Sequence, residues 1–269
     1  MNKEFISQSP LKVVFMGTPN FSVNPLRVLI DSIHNIEAVY TQPPRKSGRG
    51  MKKNNSPVHT LALHNNIPVI TPLNFSEESV IASLREISPD IIIVSAYGII
   101  LPKDILNLPR FGCLNIHASI LPRWRGAAPI QRSLINGDQE TGVTIMKIVK
   151  KLDAGPIISN VKFKIKDNDT AGKIYERIIK LGNPLLTQTI LEIFKDEFVL
   201  TEQQDEDVSY AKKIEKRPKA ETVNAIGIAP LPLTLEPAPV PIEKFSKDAK
   251  AIPIPSMTAK ATQKLICLK

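Results

Sequence analysis

Thiols are scarce in this chain of 269 residues. Cys113 and Cys267 are its only cysteines, which excludes a disulfide framework and the paired spacing of a thiolate metal site. No apolar run approaches the roughly 18 residues of a membrane span, and the N-terminus Met-Asn-Lys-Glu-Phe-Ile has no signal-peptide core. The expectation is a cytoplasmic protein with no metal and no membrane partner. Phosphate-binding signatures are missing as well. The first turn, Gly17-Thr18-Pro19-Asn20, is neither a GxGxxG fingerprint nor a P-loop with its lysine, so binding of a dinucleotide or nucleoside triphosphate finds little support.

What is present is the composition of an ordinary globular protein, 42% hydrophobic and 23% charged, long enough for one large domain or two smaller ones. Residues 11–16 (LKVVFM) read as a buried strand, followed by a turn and a helix to about Asp31, and residues 36–41 as a second strand. Strand, helix, strand in that order implies a parallel sheet with a right-handed crossover. Helices are expected over residues 58–65 and over residues 76–87, the latter capped by Ser76. A short strand falls at residues 68–70. Residues 90–95 (DIIIVS) form an apolar run of the kind covered on both faces. Further on, residues 141–149 and 157–165 read as extended. Asp169 or Thr170 caps a helix to about Leu181, and Asn183-Pro184 opens a separate one to Phe194. The fold class is α/β, an open and mostly parallel Rossmann-like sheet with helices on both faces.

The formal net charge is +9, and its placement is uneven. Residues 42–57 hold Arg45, Lys46, Arg49, Lys52 and Lys53 without an acid, compatible with contact to a phosphate backbone; taken alone, the stretch reads as an exposed solvated loop. From about residue 196 to 216 polarity rises and periodicity fades, as in a linker. Residues 217–269 contain eight prolines and one aromatic, Phe245. Proline at that density interrupts ladders and helices alike, so mostly extended or disordered chain is expected there.

The most informative stretch runs from Gly112 to Pro129. Asn115 and His117, interleaved with Leu114 and Ile116, share one face of a strand. An amide can donate to an oxygen that becomes negative, and an imidazole can move a proton near neutral pH. Together they suit acyl-type transfer, although an Asn-x-His at a strand end also serves as a hydrogen-bonded structural pair. Ala96 to Pro102 leaves the carboxyl end of the preceding strand, where open parallel sheets hold ligands.

The string NIHASILPRWRGAAPIQRSLINGDQETGVTIM, from Asn115 to Met146, resembles the central segment of methionyl-tRNA formyltransferases, and the resemblance extends from about Leu11 to about Lys216. It implies a formyltransferase catalytic domain over residues 1–195 and transfer of a formyl group from 10-formyltetrahydrofolate to initiator methionyl-tRNA. It further implies that Asn115, His117 and Asp153, the last in Leu152-Asp153-Ala154-Gly155, are the catalytic positions. Folate is expected along Tyr97, Gly98, Ile99 and Leu101, with Ser119, Leu121 and Pro122 nearby and residues 143–152 opposite. The tRNA is expected on Arg45, Gly48, Arg49, Lys52 and Lys53, with Arg123 and Arg125 near its 3′ end; Trp124 either anchors that loop or joins the contact. Pro44 stands where the family commonly has Asp. A C-terminal barrel, which the family uses to hold tRNA, is not recognisable in residues 217–269. A truncated or frame-shifted product, a divergent tail and a decayed copy of low activity are all compatible with that. Other enzymes with this domain act on glycinamide ribonucleotide, on sugar nucleotides or on formyltetrahydrofolate itself, and a monomer is expected.

Overall fold

The computed structural model describes residues 9–47 and 52–215. Gly48 and Arg49, and the proline-rich stretch 217–269, lie outside the described residues. Its centre is β1 (Lys12–Gly17), whose last five residues are buried, paired in parallel with β2 (Asn35–Tyr40) on one side and β6 (Ile91–Ser95) on the other. Every residue of β6 is buried, as required of a strand covered on both faces. β5 (Val69–Ile70) extends the sheet beyond β2, and β7 (Cys113–His117) beyond β6, both in parallel. β9 (Glu140–Lys147) then runs antiparallel to β7, and β10 (Ile157–Lys164) antiparallel to β9. The seven strands stand in the order β10-β9-β7-β6-β1-β2-β5, so the sheet is open and mostly parallel. From β1 the chain builds outward through β2 and β5, then returns to β6 on the other side. Ligand clefts form where the order reverses in this way, beyond the carboxyl ends.

Alternation along the strands sends Val13, Phe15, Ile91, Ile93, Leu114 and Ile116 to one apolar cluster, and Val14, Met16, Ile92, Val94 and Cys113 to the other. The first face is packed by α1 (Val23–Ile30), α2 (Pro57–His64), α5 (Pro129–Ile135) and α6 (Ala171–Phe194). The second is packed by α3 (Glu78–Ile87) and the short α4 (Lys103–Leu106). No helix among the described residues is long and apolar enough to cross a membrane.

Three local expectations change. Ser76 does not cap α3; Glu77 occupies that position, and Ser76 bonds the side chain of Asn74 instead. The basic stretch is not an irregular loop: β3 (Arg45–Ser47) and β4 (Lys52–Asn54) pair as an antiparallel hairpin. Residues 171–194 form one helix rather than two, running through Pro184 and capped by the Thr170 side chain. Ile174, Ile178, Gly182, Leu186, Ile190 and Ile193 keep one buried stripe across the proline, and each large apolar chain buried contributes about 1.5–3 kcal/mol. That sum exceeds the roughly 3 kcal/mol that an interior proline costs a helix. Pro184 itself is exposed, so Pro184→Ala should raise stability by about 2 kcal/mol, the helix gain less the roughly 0.4–1 kcal/mol that proline contributes by restricting the unfolded chain. Urea unfolding at unchanged slope checks this; an unaltered or lower midpoint contradicts it.

Candidate active site

β7 presents Asn115 and His117 on the sheet face that carries Val94 and Cys113, next to the part covered by α3 and α4. Leu114 and Ile116 point the other way into the larger cluster, which fixes the register. Cys113 is spent on packing: burial, opposed by the nearby Lys147, pushes its thiol up to about 12. It is no nucleophile near neutral pH.

Asp153 comes from the loop between β9 and β10 and closes the constellation. Its Oδ1 accepts from Asn115 Nδ2 at 3.3 Å, its Oδ2 accepts from the backbone N–H of Gly126 at 2.8 Å, and Oδ2 lies 3.7 Å from His117 Nδ1. The imidazole is 6% exposed and the carboxylate 13%, so the cluster is recessed yet reachable. Asn115 keeps a second N–H for another acceptor. His117 Nε2 lies 2.9 Å from the carbonyl of Trp124. A carbonyl only accepts, so Nε2 carries the hydrogen, and Nδ1 is the nitrogen that faces Asp153.

Unusual backbone geometry makes this possible. Asp153 has φ 45°, in the left-handed region, a conformation available to Asp more readily than to most residues. Two residues on, a Cβ at Gly155 would stand 1.8 Å from the carbonyl oxygen of Lys147, so only glycine lets the loop turn back towards β7.

The loop after β7 is held from several directions. Thr144 of β9 donates to the carbonyl of Ser119 at 2.7 Å and accepts from Leu121 N–H at 3.2 Å. The residues expected to contact tRNA there are otherwise engaged. Arg123 makes two hydrogen bonds to Asp138 at 3.1 and 2.5 Å, and Trp124 Nε1 donates to the same carboxylate at 2.6 Å. Trp124 thus anchors the loop. Arg125 is 1% exposed and bonds Gln203, so it cannot reach an external phosphate. Ser119 and Leu121, expected to touch folate, are buried; the Ser119 hydroxyl donates to the Arg123 carbonyl at 2.7 Å. The Tyr97 ring, too, belongs to the core beside Phe75. Pro122, Ile99 and Leu101 are half-buried, and Gly98 is exposed. On the hairpin, Arg45, Lys46, Lys52 and Lys53 all face solvent.

The polar stretch expected to be a linker is partly built into this site. β11 (Tyr210–Ala211) pairs in parallel with β8 (Arg125–Gly126), Ser209 accepts from Trp124 N–H at 2.9 Å, and Thr201 bridges Ile157. Nothing in the periodicity of residues 201–211 signals this, because the segment is held by backbone and amide hydrogen bonds rather than by an apolar stripe.

A family model described as formyl transferase matches residues 11–190. The chain is 45% identical over 232 residues to a methionyl-tRNA formyltransferase of Agrobacterium fabrum, covering 82% of this chain and 75% of that protein. The chain belongs to the methionyl-tRNA formyltransferase family. The protein of that name from Hydrogenovibrio crunogenus is 48% identical over 207 residues, 77% of this chain, and this chain spans 66% of its length. Among solved structures, a sugar 3N-formyltransferase crystallised with dTDP and 5-N-formyl-THF superposes with TM-score 0.55 at 25% identity, covering 75% of this chain and 69% of that one.

Asp138 gives a pH test of the loop. Burial works to raise its carboxyl, but the hydrogen bonds from Arg123, Trp124 and Asn136 outweigh this and hold it below the usual range. A depressed carboxylate stabilises the fold above its unfolded value of about 4, and that contribution is lost as pH falls through the lower folded value. Asp138→Asn should therefore cost on the order of 1–2 kcal/mol at pH 7, allowing for the exposure of Arg123. The difference from the unmodified chain should shrink below about pH 4, within the same linkage. Parallel denaturation curves with a constant gap across that range would contradict the assignment.

Proposed function

We propose that this chain, as a cytoplasmic monomer, transfers the formyl group from 10-formyltetrahydrofolate to the α-amino group of initiator methionyl-tRNA. The observation that carries the reading is the meeting of Asn115, His117 and Asp153 within hydrogen-bond and ion-pair reach, in a chain of this family.

Each group has work in such a reaction. The amine nitrogen bonds to the formyl carbon, the bond from that carbon to N10 breaks, and a proton leaves the amine while one joins N10. Asn115, through the N–H that Asp153 does not use, donates to the formyl oxygen as it becomes negative. His117 accepts the amine proton at Nδ1, where Asp153 steadies the resulting imidazolium. Folate, when bound, supplies an activated amide and an extended apolar body. The surfaces on either side suit it: Ile100 is 92% and Leu152 60% exposed, and Gly98 offers open backbone for a polar edge.

Recognition of tRNA falls to the hairpin. Arg45, Lys46, Lys52 and Lys53 on β3 and β4 project without an acid on either strand, and the sequence between them includes Gly48-Arg49-Gly50. Arg123 is tied to Asp138 and Arg125 is buried, so on this reading the phosphate contacts fall to the exposed hairpin cations.

Formyl transfer to methionyl-tRNA, compared with amino-sugar nucleotides and glycinamide ribonucleotide, tests the substrate. Activity on the tRNA alone, with KM rising steeply with salt, is the expected result. Preference for a small amine contradicts it. Asn115→Ala should lower kcat by about 10²–10³ and His117→Ala by about 10²–10⁴, with Asp153→Ala at least about tenfold because it supports both. Near-normal turnover in a folded variant removes that residue from the mechanism.

A further inference from the structure

Gln203 lies beyond the residues matched by the family model, yet it bonds directly to the loop that carries Asp153. Its Oε1 accepts from Arg125 Nε at 3.0 Å and Nη2 at 2.8 Å. Its Nε2 donates to the carbonyl oxygens of Asp153 at 3.0 Å and Gly155 at 2.7 Å. Only one amide orientation serves these partners, since a flip would set its oxygen against two carbonyls and its N–H groups against a guanidinium.

The contacts fall where restraint is needed. Asp153 sits at φ 45°, a strained position for a residue with a side chain, and such conformations persist only where the surroundings over-determine them. Gln203 pins the carbonyl of Asp153 itself and that of Gly155, the residue whose lack of a Cβ lets the loop turn. Behind it, Arg125 is buried, makes no ion pair among the described residues, and leaves Nη1 without a hydrogen-bond partner. A guanidinium bonded to Oε1 polarises the amide and strengthens both N–H donors. We propose that Gln203 is a positioning residue for the transfer reaction: backed by Arg125, it holds the Asp153 loop so that one carboxylate meets Asn115 and His117 together. The inference rests on the formyl-transfer reading, and it makes residues 201–211 part of the catalytic unit.

The test uses the full chain with Gln203→Met, which keeps length and removes the hydrogen bonds. Gln203→Glu is the second variant; it keeps the acceptor for Arg125 but turns an oxygen on the two carbonyls. Both should lower kcat about 10- to 100-fold, with KM for the folate within about twofold, the pattern of a group acting at the transition state. In an Asp153→Ala background neither should lower kcat by more than about twofold further, since coupled residues are not additive. Both should also move the imidazole ¹⁵N resonances of His117. A residue that only stabilises the fold would carry its loss into the Asp153→Ala background and leave the His117 resonances in place. That pattern, or kcat within twofold of the unmodified chain, overturns the proposal. If the unmodified chain forms no formyl-methionyl-tRNA, the functional reading fails, and the resonances alone decide: moved by Gln203→Met, the positioning role stands; unmoved, it falls.

Discussion

A single carboxylate organises this site. Asp153 accepts from Asn115 on one oxygen and from Gly126 N–H on the other, with His117 Nδ1 at ion-pair distance. Without it, the Asn115 amide would lose its one side-chain partner among the described residues, and His117 would keep only the Trp124 carbonyl on its far nitrogen. With it, an amide donor and an imidazole are held at a common point, so that the reorganisation the proposed transfer would require is met on folding.

The rest of the fold can be read as support for that carboxylate. The doubly covered strands β1 and β6 give β7 a rigid neighbour, and β9, antiparallel to β7, ends beside Leu114, from where the following loop brings Asp153 to Asn115 and His117. Thr144 ties the post-β7 loop to β9, Asp138 collects Arg123 and Trp124, and the Trp124 carbonyl in turn fixes the His117 tautomer. β11 then adds backbone hydrogen bonds to the same loop. Every element that touches the site is therefore held by at least one other.

Much of this was legible in the residues. The all-apolar run in β6, the alternation in β7 and the Asn-x-His spacing follow from strand periodicity, which local sequence records directly. What escaped depends on partners distant in sequence. Arg125 looked like a phosphate ligand because an arginine in a loop is usually free; its burial against Gln203, 78 residues on, has no local signature. Pro184 looked like a helix start because proline favours first turns, and the buried stripe that overrides it is decided by tertiary packing. The hairpin in the basic stretch was hidden by charge, since its strands have no apolar face for periodicity to record. Asp153 itself, read without the family, is an ordinary turn carboxylate.

The central claim is that Asp153 holds Asn115 and His117 in register with each other. Crystal structures of the unmodified chain and of Asp153→Ala test it most directly. The account predicts an unchanged β7 backbone with the Asn115 amide and the His117 ring rotated out of their shared orientation. Both side chains remaining in place, within coordinate error, would contradict it.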